Sequence, residues 1–369
     1  MEKVAIVKCN SYSQEEVDFA IKKILKLLNF DLKKYKNILI KPNIAGAFEK
    51  NQEAITTHPS LVKSLLKQFK GKKIIGESSI LNTSNAFEKA GYSSFNNLLV
   101  FESSKLSKVK DLKAKVLKEF YLSEKIKKSD LIINVPKLKT HILTKMTGAI
   151  KNLYGCIPGG IKAQYHRLAV GDEKFSKLLV DIFQNIQPEL NVIDAVISME
   201  GEGPSAGIPK KTQFILASKS AVALDIAVAK LIGYAPEKIN VIKESITRNL
   251  YPNYKIEIIG DLNEIPNLKF KKHALEKFSN LTSLLIKLNR KDSLKIDRSK
   301  CIKCRLCAKK CPVGAIKMKP FPQIDEQKCI RCFCCSEVCP QHAISLKEIL
   351  EKRIYRKLMR IYRSFSKKV

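Results

Sequence analysis

Cys301-Ile302-Lys303-Cys304-Arg305-Leu306-Cys307-Ala308-Lys309-Lys310-Cys311-Pro312 is answered further on by Cys329-Ile330-Arg331-Cys332-Phe333-Cys334-Cys335-Ser336-Glu337-Val338-Cys339-Pro340. Both stretches read C-x2-C-x2-C-x3-C-P. Thiolates are soft ligands that suit iron–sulfur cubanes, and three of them at this spacing sit on one loop and hold three corners of a cube. In such paired runs the fourth cysteine serves the other cluster. The sequence therefore predicts two [4Fe–4S] clusters, one on Cys301, Cys304, Cys307 and Cys339, the other on Cys329, Cys332, Cys335 and Cys311.

Zinc is the competing reading, because CxxC pairs also build zinc ribbons. Against it, each run supplies four cysteines, each ends in proline, and no histidine stands at ligand spacing. Val313-Gly314-Ala315-Ile316 and Gln341-His342-Ala343-Ile344 follow the two prolines in parallel, the mark of an internal duplication. Cys334 falls outside the pattern and reads as a small packed thiol. The segment 293–347 resembles the two-cluster bacterial ferredoxin fold.

The whole chain has 369 residues, enough for two or three domains, and its 45% hydrophobic content supports a sizeable core. Eight of the eleven cysteines are committed to clusters, and Cys9 and Cys156 suggest no disulfide framework. Such unpaired thiols point to a reducing compartment, here the cytoplasm. The start, Met1 to Val7, reads as a strand without a signal-peptide core, and no apolar run approaches membrane-spanning length.

The net charge is +33, from 68 basic and 35 acidic residues. A field of that sign attracts nucleic acid, anionic lipid, acidic proteins or anionic metabolites. Only ten of the 68 are arginine, so the excess reads first as lysine spread over solvated faces. The tail differs. Arg353, Arg356, Arg360 and Arg363 crowd the last seventeen residues, beside Leu350, Ile354, Leu358, Ile361 and Phe365 at helical spacing. This basic amphipathic helix either packs on the body of the protein or docks on a partner or anionic membrane surface. Nothing beyond charge points to nucleic acid, since no aromatic-interleaved or finger motif is present.

Residues 1–262 alternate strand-like apolar runs with amphipathic helices, an α/β pattern. Strands are expected at Val4–Cys9, Ile38–Pro42, Lys73–Glu77, Leu98–Phe101, Leu131–Val135, Leu190–Val196, Phe214–Ala217 and Lys255–Ile259. Helices are expected at Gln14–Leu28, Ser60–Phe69, Glu173–Ile186 and Ala221–Leu231. The fold class is thus a mostly parallel sheet with helices on both faces, whose ligands gather at strand C-terminal ends. The small α+β ferredoxin-type domain (293–347) would follow through a helical linker (263–292, with Leu281, Leu284, Leu285 and Leu288), and the basic tail (348–369) closes the chain. There is no GxxxxGK[ST] loop, and Gly201-x-Gly203 lacks the rest of a dinucleotide fingerprint.

Polar residues cluster at the expected strand ends: Lys41-Pro42-Asn43, Glu77-Ser78-Ser79, Pro136-Lys137-Leu138-Lys139-Thr140-His141 and Met199-Glu200-Gly201-Glu202-Gly203-Pro204. Together with Thr56-Thr57-His58-Pro59, Ser129-Asp130, Gly148-Ala149-Ile150-Lys151-Asn152-Leu153-Tyr154-Gly155 and Asp225, these resemble the "domain of unknown function 362" family over residues 3–260. That family often carries a C-terminal ferredoxin module and is distantly similar to lactate-racemase-type α/β proteins. The resemblance implies an architecture and a motif set, and no substrate.

By the period of two, Lys137 and Lys139 share one side of an extended chain, where Lys41 and Lys151 could converge with them on an anion. His141 and His58 exchange protons near neutral pH, and Glu200 and Glu77 are acid–base candidates, with His166 and Asp194 beside them. The catalytic set expected is Lys137, Lys139, His141 and Glu200. Each has a plainer reading: solvated lysines, a His58 that caps the helix after Pro59, a Glu200 that binds loop amides, an Asp225 that caps or pairs in the core. Cys156 lacks a basic partner in sequence. The function expected is an iron–sulfur redox protein moving electrons to or from a small anionic substrate in the α/β domain. Whether it is itself an oxidoreductase stays open. A non-catalytic electron carrier docking a partner oxidoreductase is one alternative, and basic-surface association with nucleic acid or membrane is another.

Overall fold

The computed structural model describes residues 1–48, 51–79, 82–251, 255–272, 294–330 and 332–346. The leucines of the expected linker helix and the whole basic tail lie outside the described residues. Contacts divide the chain into two compact units, Met1–Lys277 with Ile330–Phe333, and Phe278–Cys329 with Cys334–Val369.

The first unit contains β1 (Glu2–Lys8), β2 (Asn37–Pro42), β3 (Lys72–Glu77), β4 (Leu98–Val100), β5 (Leu106–Lys110), β6 (Glu119–Ser123), β7 (Leu131–Val135), β8 (Lys137–His141), β9 (Lys145–Thr147), β10 (Leu190–Glu200), β11 (Ile208–Ser218) and β12 (Ile256–Gly260). The main sheet runs β12-β1-β11-β10-β7-β2-β3-β4, with β8 on β10 and β9 on β8. Every pairing along it is parallel except those of β11 with β1 and β10 and of β9 with β8.

The mechanism of this fold is visible in the alternation of side chains. Val4 and Ile6 enter one core while Ala5 and Val7 enter the other; Leu39 goes with the first, Ile38 and Ile40 with the second. Strands buried on both faces are continuous apolar runs, and each face takes every second residue. Helices α1 (Gln14–Leu27), α2 (Gln52–Ile55), α3 (Pro59–Gln68), α4 (Thr83–Lys89), α5 (Glu124–Lys127), α6 (Ala149–Asn152), α7 (Gly159–Leu168), α8 (Asp172–Ile186), α9 (Ala221–Leu231) and α10 (Asn240–Thr247) complete the unit. Val17, Ile21 and Ile24 of α1 with Leu61 and Leu65 of α3 cover one face; Leu178, Ile182, Leu224 and Val228 of α8 and α9 cover the other.

Start signals behave as their chemistry demands. Ser13 caps α1 by accepting from the Glu16 amide, and Ser220 caps α9 from Ala223. His58 does the same for α3, its Nδ1 accepting from the Ser60 amide at 3.3 Å, with Pro59 in the first turn. The stretch 263–272, assigned in the sequence to a helical linker, is irregular chain. It is anchored to the first unit by Leu268 N–H to the Leu231 carbonyl and by the buried ring of Phe270.

The second unit is small and duplicated. Antiparallel β13 (Leu294–Ile296) pairs with β16 (Ile344–Leu346), and β14 (Ile316–Lys319) with β15 (Phe321–Ile324). Helices α11 (Leu306–Lys309) and α12 (Cys334–Glu337) each follow a cysteine loop. The first strand of one repeat thus pairs with the last of the other, and Cys307, Ile316, Cys335 and Ile344 form one shared core.

Candidate functional site

A cavity opens among Cys301, Cys304 and Cys307 of the first run and Cys339 of the second, walled by Ile302, Met318, Pro322 and Ile344. The Ala343 amide donates to Cys339 Sγ at 3.2 Å, and at the counterpart position Ala315 donates to Cys311 Sγ at 3.2 Å. Such N–H···S bonds favour charged thiolate. Among the described residues no three His, Cys, Asp or Glu gather tightly enough for a single metal ion. A cubane asks for something else, four sulfurs spread around a body of several atoms, and the four-cysteine cavity meets that demand. The donor set therefore fits a [4Fe–4S] cluster.

The repeat extends to backbone detail. Arg305 and Phe333, each next after the second cysteine of its run, have φ of 62° and 61°. Gly314 and His342, each third after the fourth cysteine, have φ of 61° and 49°. The Asp297 amide bonds the Ala343 carbonyl, and the Asp325 amide the Ala315 carbonyl, both across the repeats.

Among the described residues of the first unit, four lysines are buried: Lys41 near the end of β2, Lys137 and Lys139 on β8, and Lys162 on α7. Lys137 Nζ lies 2.8 Å from Asp194 Oδ2 and donates to the Tyr12 hydroxyl at 2.6 Å. That hydroxyl donates in turn to Asp194 Oδ1 at 2.8 Å and accepts the Ile197 amide. The His58 amide closes the ring onto Asp194 Oδ2 at 2.9 Å, and its imidazole stacks on Tyr12 with centroids 3.9 Å apart. The pairing follows from register, since Lys137 and Asp194 are partners on β8 and β10. Burial pulls the Lys137 ammonium below its ordinary range, against the pull of Asp194. Burial likewise lowers His58, and burial with Asp194 raises the Tyr12 phenol. Lys139, on the same side of β8, reaches Asn43 Oδ1 at 2.9 Å and the Ile55 carbonyl at 2.8 Å.

A second cationic group forms at the ends of β2 and β3. Lys41 Nζ bonds Glu77 Oε2 at 2.7 Å, and the amides of Ile44 and Ser78 also donate to that carboxylate. Lys162 of α7 donates to the Ser78 carbonyl. Burial, reinforced by Lys41 and opposed by Glu77, brings Lys162 down to about 8. A Cβ on Gly155 would stand 2.3 Å from Glu77 Oε1 and 2.4 Å from Lys41 Nζ, so only glycine lets this backbone approach the pair. Cys156 lies nearby, fully buried, and burial pushes its thiol up to about 12. A thiol held protonated is a poor nucleophile.

A family model described as a domain of unknown function, DUF362, matches residues 38–230, just over half of the chain. The chain belongs to the DUF362 family. A 4Fe-4S binding domain model matches residues 294–317, the first cysteine run. A thylakoid-associated protein of Synechocystis sp. is 28% identical over 253 residues, 65% of this chain and 77% of that protein. The lactate racemase apoprotein of Thermoanaerobacterium thermosaccharolyticum is similar at a TM-score of 0.38 and 11% identity, over 58% of this chain and 54% of that one, a likeness that carries no argument.

In this DUF362 chain the four expected catalytic residues fall among separate sets of partners. Lys137 and Lys139 share a face of β8. His141 Nδ1 accepts the amides of Leu143 and Thr144 at the turn into β9. Glu200 closes the β10–β11 hairpin, where it accepts from Lys210 Nζ at 3.0 Å and the Lys271 amide at 3.1 Å. Burial opposes its ionisation, yet these donors outweigh it and hold the carboxyl below the usual range. His166 is packed between Phe175, stacked at 4.5 Å, and the edge of Tyr154. Asp225 caps α6 through the amides of Ala149 and Ile150. Tyr12 and Lys162 escaped the sequence reading. Tyr12 was findable, because it follows the C-terminal end of β1 as the other site residues follow theirs. Lys162 was one lysine among many, with no motif to mark it.

Proposed function

We propose that this chain is an iron–sulfur redox protein with two [4Fe–4S] clusters, exchanging electrons with a small anionic substrate at the buried lysines of the first unit. One observation carries the cluster reading: the cavity shared by Cys301, Cys304 and Cys307 with Cys339, whose second-run counterpart repeats its turns and N–H···S bonds. By the internal repeat of the sequence, Cys329, Cys332, Cys335 and Cys311 would hold the second cluster. When bound, each cluster supplies one-electron transfer.

The chain's own residues supply charge and protons. Lys137, Lys139, Lys41 and Lys162 concentrate buried positive charge in the first unit, a charge suited to carboxylate or phosphate. Tyr12, held between Lys137 and Asp194, can pass a proton from the one to the other as the charge of a substrate changes. The residues thus support an oxidoreductase. The protein is tested anaerobically by reducing its clusters and following their absorbance as anionic metabolites are added. One anion should reoxidise them rapidly, and Tyr12→Phe should slow that step by about 100-fold while iron content is kept. Reoxidation by protein carriers alone would instead make the chain an electron carrier.

A further inference from the structure

The two cysteine repeats are alike in backbone and unlike in surface. Residues 294–319 hold nine basic side chains and one acidic, whereas their counterparts 322–347 hold three and three. Ile302 is 60% exposed, and Lys303, Cys304 and Arg305 are exposed beside it. Ile302, Lys303 and Arg305 also line the four-cysteine cavity, so the wall between that cavity and solvent is this loop. Lys303 and Arg298 lie over the Phe321 ring, 4.8 Å and 5.6 Å from its centroid, which holds two of the cations in place before any partner arrives.

We propose that the loop Cys301–Arg305 is a docking face for an acidic redox protein, and that the first-run cluster exchanges electrons through it. This rests on the iron–sulfur reading above and is independent of any substrate in the first unit. An exposed apolar side chain ringed by cations has the anatomy of an interface, an apolar centre with a charged rim. Electron transfer requires close approach to the cluster, and the first-run loop offers a thin, exposed wall. Opposite charge on the partner raises the encounter rate and sets its orientation. The electron balance is simple: the partner's reduced cofactor is oxidised by one electron and the cluster is reduced by one.

The test uses the full chain with its clusters, their content checked by iron analysis and electron paramagnetic resonance. It is mixed with a chemically reduced, acidic flavodoxin, first near ~10 mM and then near ~500 mM salt. Charge reversal by Lys303→Glu with Arg305→Glu should slow transfer about tenfold or more at low salt and flatten its salt dependence. Lys22→Glu with Lys33→Glu, on the first unit, should change the rate less than about twofold. Equal losses in both pairs would reduce the effect to bulk charge and overturn the docking face, as would an unchanged rate in the first pair. Sedimentation with phosphatidylglycerol vesicles provides a further arm. If the Lys303/Arg305 variant loses vesicle binding but keeps its rate with flavodoxin, the face serves lipid and the proposal fails. A wild-type chain that takes up no iron would sink the iron–sulfur reading itself, a separate outcome read before any partner is added.

Discussion

Asp194 answers four donors at once, the Lys137 ammonium, the Tyr12 hydroxyl and the amides of His58 and Val196, and its carboxylate and Lys137 are fully buried. A buried charge that loses its partner keeps its desolvation penalty, so Asp194→Asn should destabilise the first unit by about 3–5 kcal/mol in urea unfolding followed by circular dichroism. Replacing both partners, Lys137→Met with Asp194→Leu, should recover most of that loss. If the double variant is as unstable as the single, the pair is not what holds this part of the fold. Asp225 makes a pH prediction. Burial raises its carboxyl to about 7, against two amides that favour the anion. The folded state then binds its proton more tightly than the unfolded chain, so the stability it lends is full below the unfolded value of 3.8 and is lost as pH rises through about 7. Between pH 5 and 7 the wild type should lose about 2 kcal/mol relative to Asp225→Asn, read as the difference between two urea series. At this scale the sequence identified residue types better than roles. Lys137 stands out by its position after β7 and His58 by its place before Pro59, but which carboxylate meets which lysine depends on the register of β8 on β10, and that register is set by tertiary pairing.

Elements were legible where their pattern is apolar and hidden where it is polar. Leu131–Val135 and Ala221–Leu231 coincide with β7 and α9 because continuous burial writes itself as continuous hydrophobicity. Strands β10 and β11 run to Glu200 and back from Ile208, well past the expected ends, since their extensions carry Ser198, Lys210, Lys211 and Thr212. Strand β8, Lys137–His141, was legible only as an extended chain, and β5, β6 and β9 were not expected. The duplicated turns of the second unit give a prediction at this scale. Gly314 and His342 occupy equivalent left-handed positions, at φ of 61° and 49°. A side chain there costs about 1 kcal/mol relative to glycine. Gly314→Ala should therefore lower the guanidinium concentration at which the clusters bleach, and His342→Gly should leave it unchanged or raise it. A drop with His342→Gly would mean that the imidazole does more at that turn than occupy it.

For the molecule as a whole, the cysteine spacing marks the 4Fe-4S binding module most plainly, because in such modules three ligands of each four are local in sequence. The fourth ligand is a statement about topology, and the pairing of β13 with β16 supplies the reason for it. That pairing carries the end of the second repeat back beside the start of the first, and with it Cys339 reaches the cavity of Cys301, Cys304 and Cys307. Iron content can separate this crossed arrangement from one in which each run holds its own cluster. A chain with both clusters should carry about eight irons. Cys301→Ser with Cys339→Ser removes two ligands of one cluster under the crossed assignment, and about four irons should remain. Cys301→Ser with Cys311→Ser, although confined to one run, removes a ligand from each cluster and should leave both depleted. The reverse result, with the Cys301/Cys311 pair sparing one cluster and the Cys301/Cys339 pair sparing neither, would assign the ligands within each run and detach cluster binding from the interlocked strands.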